Sequence, residues 1–142
     1  CSCMQPVKEN IFENPDANHK ILITGSTTDF KDAILDVIVN RYKDTCQLEI
    51  LPYDKLERVD FGDYSAILIM DECQAWMKFN RGFKKTVDKI ENKDKIVLFI
   101  TAGDPDWEYS TDGVDAITSA SKKGKEDELI KEISNRIDEL IR

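Results

Sequence analysis

The chain has a single histidine, His19, and no CxxC pair among its four cysteines. Without a Cys/His cluster there is no zinc ligand set. A lone histidine with no evident nucleophile beside it gives no Ser-His-acid centre. No apolar run is long enough to span a bilayer. Positive charge is also in deficit, with 20 Lys+Arg against 28 Asp+Glu, a net −8. Such a surface repels phosphate backbones and anionic head groups, so general nucleic-acid binding is disfavoured. It suits docking to a basic partner.

What remains is a globular chain of 142 residues, enough for one domain around one core. It begins Cys1-Ser2-Cys3 and continues into a polar segment. That start resembles the mature N-terminus of bacterial lipoproteins, in which the first cysteine carries the lipid. The resemblance implies lipid attachment at Cys1, an extracytoplasmic location, and membrane contact through that anchor alone. Cys3, Cys46 and Cys73 are then an odd number, which completes no disulfide framework. Cys46 begins one expected strand and Cys73 ends another, so they sit at opposite ends of a parallel sheet and do not pair.

Residues 1–18 hold Pro6, Pro15 and three asparagines without apolar periodicity and read as a tether; residues 19–142 read as the domain. Within it strands and helices alternate. Lys20–Thr24, Gln47–Leu51, Tyr64–Met70, Ile96–Ile100 and Val114–Ile117 are apolar enough to be strands, most of them buried on both faces. Phe30, Ala33, Ile34, Val37 and Ile38 share one helical face, with Asp29 as its N-cap. Trp76, Phe79, Phe83, Val87 and Ile90 keep helical spacing, broken only by Gly82. Residues 52–63 are polar, with about one helical turn near Leu56, so the helix expected there is missing. Leu129, Ile130, Ile133, Ile137, Leu140 and Ile141 mark the last helix, supported by acid-first pairs Asp127/Lys131, Glu132/Arg136 and Asp138/Arg142. This pattern predicts an α/β fold with a parallel sheet and helices on both faces.

The first strand runs straight into Gly25-Ser26-Thr27-Thr28, and a helix follows at once. A strand-to-helix turn with free amides and hydroxyls is a natural phosphate cradle. This turn resembles the Gly/Ser/Thr-rich loop of flavodoxins, and the run Tyr64–Val87 resembles their third strand, aromatic loop and next helix. The resemblance covers roughly residues 20–142. It implies a flavodoxin-like three-layer sandwich with a five-stranded sheet of order 2-1-3-4-5, binding FMN noncovalently for electron transfer to a redox partner protein. The implied cofactor residues are Gly25, Ser26, Thr27 and Thr28 with Lys31 at the phosphate, and Trp76, Gly103, Asp104, Trp107 and Tyr109 at the isoalloxazine. Both tryptophans follow strands that end at the switch point, where ligands of such sheets bind.

The turn departs from the flavodoxin pattern at Asp29-Phe30-Lys31, where Gly-Asn-Thr is usual. At ~4 Å and an effective dielectric near ~20, Asp29 would repel a phosphate dianion by several kcal/mol, with Lys31 as partial compensation. The alternative is a flavodoxin-fold interaction or structural module of a lipoprotein that has lost flavin. Other constellations are weaker. Asp71, Thr101-Ala102 and Lys122 match a two-component receiver domain, but Thr24-Gly25 replaces its acidic pair, leaving Mg²⁺ without a cage. Val114–Ser121 resembles the attachment motif of covalently flavinylated domains only loosely. Asp104, Asp106 and Glu108 lack the spacing of a calcium loop. Cys73 follows the third strand as a thiol bystander.

Overall fold

The computed structural model describes residues 5–72, 81–101, 110–111, 114–119 and 124–142. Along the chain these form β1 (Gln5–Pro6), β2 (Asn10–Phe12), β3 (Lys20–Thr27), α1 (Asp29–Tyr42), β4 (Gln47–Leu51), β5 (Ala66–Glu72), α2 (Arg81–Lys89), β6 (Ile96–Thr101), β7 (Ser110–Thr111), β8 (Val114–Ser119) and α3 (Glu126–Leu140). The five long strands are parallel and ordered β4-β3-β5-β6-β8, which is the expected 2-1-3-4-5. The register sets Ile21 between Leu48 and Ala66 and brings Gly25 opposite Met70.

Three short antiparallel strands extend this sheet. β2 pairs with β4 at one edge, β7 pairs with β8 at the other, and β1 pairs with the far end of β3. Residues 5–12 were expected to be part of a loose tether; instead they supply two strands. The Val7 amide donates to the Gly25 carbonyl at 3.1 Å, and Val7 is buried in the core. Strands this short are made by backbone pairing and carry no periodic signal.

The sheet is the middle of three layers. On one face Ile21, Ile23, Leu68 and Phe99 pack against Ile34 and Ile38 of α1 and Ile133 and Ile137 of α3. On the other, Leu22, Ile67, Ile69 and Leu98 pack against Phe83 and Val87 of α2 and against Leu56 and Phe61 of the 52–64 connection. That connection holds two short 3-10 turns, Tyr53–Lys55 and Phe61–Asp63, in place of a helix. No described helix is long and apolar enough to cross a membrane.

Two helical details differ from expectation. The cap of α1 is Thr28, whose hydroxyl accepts from the Lys31 amide at 3.4 Å, and Asp29 is the first helical residue. The buried face of α1 is Lys31, Ile34, Leu35, Ile38, Val39 and Tyr42; Ala33 is exposed and Val37 is 44% exposed. The stripe is turned by one residue, because doublets at 34–35 and 38–39 fit either placement and a lysine is not counted as apolar. In α3, Asp138 takes its partners from α1: the Arg41 guanidinium at 2.8 Å and the Tyr42 hydroxyl at 2.6 Å. Arg136 and Glu132 approach within 3.6 Å as the spacing suggests. The one-residue rotation is testable by denaturation. Leu35→Ala is expected to cost about 2–5 kcal/mol and Val37→Ala no more than about 0.5 kcal/mol.

Candidate functional site

The carboxyl edge of the sheet is where the strand order reverses and where sheets of this kind hold their ligands. At that edge Gly25 has φ +116°, and a Cβ there would lie 1.9 Å from the Met70 carbonyl oxygen. Only glycine allows β3 to pass β5 so closely and keep the left-handed geometry. Beyond Gly25 the chain does not open into a loop. Ser26 and Thr27 remain strand and pair with Pro6 and Gln5 of β1.

The hydroxyls of the turn are mostly spent inside the protein. Thr27 Oγ1 donates to Asp32 Oδ1 at 2.8 Å, and Thr28 Oγ1 caps α1. Ser26, Thr27 and Thr28 are each 3% exposed. The first turn of α1 carries Asp29 and Asp32. These acids satisfy the positive end of the helix dipole that an anion would otherwise use.

Lys31, expected as a counter-charge for phosphate, faces inward. It is fully buried, and its Nζ donates to the Asp71 backbone carbonyl at 2.8 Å. Burial pulls its pKa down from the ordinary 10.5 to about 8, against the opposing pull of Glu72 and Asp71. Asp71 is also fully buried. Its Oδ2 accepts from the Tyr53 hydroxyl at 2.6 Å and its Oδ1 from the Glu72 amide at 2.7 Å. Burial pushes the Asp71 carboxyl above the usual carboxylate range, while those two hydrogen bonds hold it back. Burial, with the neighbouring Asp71 charge, drives the Tyr53 phenol far upward. Lys31, Asp71 and Tyr53 thus link α1, β5 and the 52–64 connection across the edge. Gly82 belongs to the same unit, since a Cβ there would stand 2.6 Å from the Tyr53 ring; this close approach explains the break in the α2 pattern.

Of the residues expected to hold a cofactor, Gly25, Ser26, Thr27, Thr28 and Lys31 are brought to this edge. Trp76, Gly103, Asp104, Trp107 and Tyr109 lie outside the described residues, as do Cys1, Cys3, Cys73, Asp106, Glu108 and Lys122. Cys46 is a buried free thiol. Thr24 Oγ1 and Thr101 Oγ1 are buried near the same edge with no hydrogen-bond partner among the described residues. No group of three or more candidate metal ligands occurs among those residues. Sequence reasoning missed Ser65 as a partner of His19: Nδ1 and Oγ lie 2.8 Å apart at the amino edge, where they tie β3 to the start of β5. Their separation of 46 positions gives no local signal.

No protein-family model matches the chain, and no curated protein does. Solved structures do. Oxidised flavodoxin 1 from Bacillus cereus aligns with TM-score 0.55 at 10% identity, over 84% of this chain and 97% of its own. The fold is flavodoxin-like. A flavodoxin from the domain Archaea aligns with TM-score 0.53 at 13% identity, over 87% of this chain and 99% of its own. Oxidised flavodoxin 2 from Bacillus cereus gives TM-score 0.50 at 15% identity, over 84% and 98%. Within this flavodoxin-like frame, the turn after the first parallel strand is internally hydrogen-bonded and backed by β1.

The buried lysine makes a prediction about pH. Its folded-state pKa lies below its unfolded value, so folding favours the neutral amine. Its contribution to stability is fully present above about 10.5 and is lost as pH falls through about 8. The interval corresponds to ~3 kcal/mol, at about 1.4 kcal/mol per unit. Denaturant unfolding of the protein beside Lys31→Met, from pH 7 to 10.5, is expected to show the native lysine gaining on methionine across that window. A gap independent of pH would mean that the ammonium is solvated.

Proposed function

We propose that this protein is a flavodoxin-fold interaction module that works without FMN. One observation carries the reading: residues 5–7 cover the strand-to-helix turn, whose hydroxyl groups are almost wholly buried. A flavin phosphate needs several inward-facing donors and a positive local field. Here Thr27 and Thr28 have internal partners, Asp29 and Asp32 flank the helix start, and Lys31 serves Asp71. The residues present at the turn therefore do not fit the phosphate of FMN. The acidic surface favours a basic protein partner.

The second reading is noncovalent FMN binding for electron transfer, and the likeness to three flavodoxins favours it. It requires residues 5–7 to leave the turn and the acidic helix start to accept a dianion. FMN would then supply the redox chemistry. The two readings separate in a titration of the full chain with FMN, following protein and flavin fluorescence. No saturable quenching through the micromolar range is expected. Saturable quenching that disappears in Trp76→Ala would overturn the module reading and establish a flavin carrier.

A further inference from the structure

The closure of the turn creates a second feature. A cavity of ≈ 240 Å³ lies at the carboxyl edge, lined by Pro6, Ser26, Pro52, Tyr53 and Asp54. Small-molecule and cofactor pockets usually run to about 300–1,000 Å³, so this space suits a single side chain. Pro6 is part of β1, and the wall therefore exists only while β1 is paired with β3. A larger cavity of ≈ 450 Å³ near Phe61 and Lys95 has mixed charge, and its Lys95 ammonium already donates to the Phe61 and Tyr64 carbonyls.

The chemistry of the smaller cavity is specific. Two proline rings and one phenol ring supply flat apolar walls. Tyr53 is fixed by its hydrogen bond to Asp71 and by its contact distance to Gly82. Asp54 is exposed and lines the space, and the Asp71 carboxylate accepts the hydrogen bond of the Tyr53 hydroxyl. Ser26 is 3% exposed and lines the space. Among the described residues, none that lines the space is basic.

We propose that this cavity receives the guanidinium of an arginine presented by a protein partner. The inference deepens the interaction-module reading and rests on it. A guanidinium is planar, weakly hydrated and always charged, so it stacks on a phenol ring while donating to a carboxylate and a hydroxyl. A lysine ammonium is a compact, strongly hydrated charge and gains less from these walls. An anion meets Asp54 and a net charge of −8. The same net charge draws a basic partner towards the protein.

The test is a titration of the full chain with N-acetyl-arginine-amide, followed by amide chemical shifts, with the lysine and citrulline analogues alongside. Saturable shifts at Ser26, Tyr53 and Asp54 are expected with arginine. They should be weaker with lysine and absent with the uncharged citrulline. Asp54→Asn, a substitution of an exposed rim residue, is expected to weaken binding by about two- to fivefold. Three results would overturn the proposal: no shifts at these residues, an equal response to citrulline, or shifts scattered over the acidic surface that vanish at ~0.15 M salt. FMN binding in the separate fluorescence titration overturns the module reading itself. Absence of both FMN and arginine binding overturns the pocket alone.

Discussion

At Gly25 the central strand passes so near β5 that a methyl group would sit 1.9 Å from the Met70 carbonyl oxygen. The rest of the carboxyl edge follows from that approach. Because β3 continues as strand past Gly25, its last residues present a backbone edge, and β1 takes it up. Because the chain then turns abruptly through Thr28, the cap of α1 is made by that threonine and the first helical turn is pressed onto the sheet. Lys31 falls on the inner side of that turn, where its ammonium donates to the Asp71 carbonyl at the end of β5 and is drawn by the Glu72 and Asp71 charges. One contact between two strands thus fixes the turn, the cap and the buried charge.

Energetically the edge is unusual for a site meant to be vacated by a ligand. Burying an ammonium and a carboxylate costs several kcal/mol each unless hydrogen bonds and opposite charge compensate. Here the compensation is internal: the Asp71 carbonyl for Lys31, and the Tyr53 hydroxyl and Glu72 amide for Asp71. Breaking any one of these leaves a buried group unpaired, which costs more than the bond itself contributes. Such a cluster favours a rigid edge over an adaptable one, and rigidity suits recognition of a protein surface.

The parallel sheet was legible because its strands are continuous apolar runs separated by helical patterns, and Ile96–Ile100 or Leu129–Ile137 admit little else; its order came only with the flavodoxin resemblance. The position of the candidate site was legible from Gly25–Thr28 for the same reason. Its state was not. Whether a threonine hydroxyl faces a ligand or Asp32 depends on the path of β3 after Gly25, which no local pattern encodes. β1 and β2 escaped notice because backbone pairing is open to almost any residue. Lys31 escaped because a charge at an apolar register position shifts the apparent stripe to Phe30 and Val37. Gly82 was visible as an interruption, but its reason, the Tyr53 ring, lies 29 positions away in the chain.

The central claim is that residues 5–7 close the turn, and amide hydrogen exchange measures this directly. The Val7 amide donates to the Gly25 carbonyl at 3.1 Å. Closure predicts that Val7 and Thr27 exchange slowly, with protection approaching that of Ile23 in the middle of β3. Exchange of Val7 at the rate of an open chain would contradict it, because the turn would then be uncovered and its amides free for a phosphate.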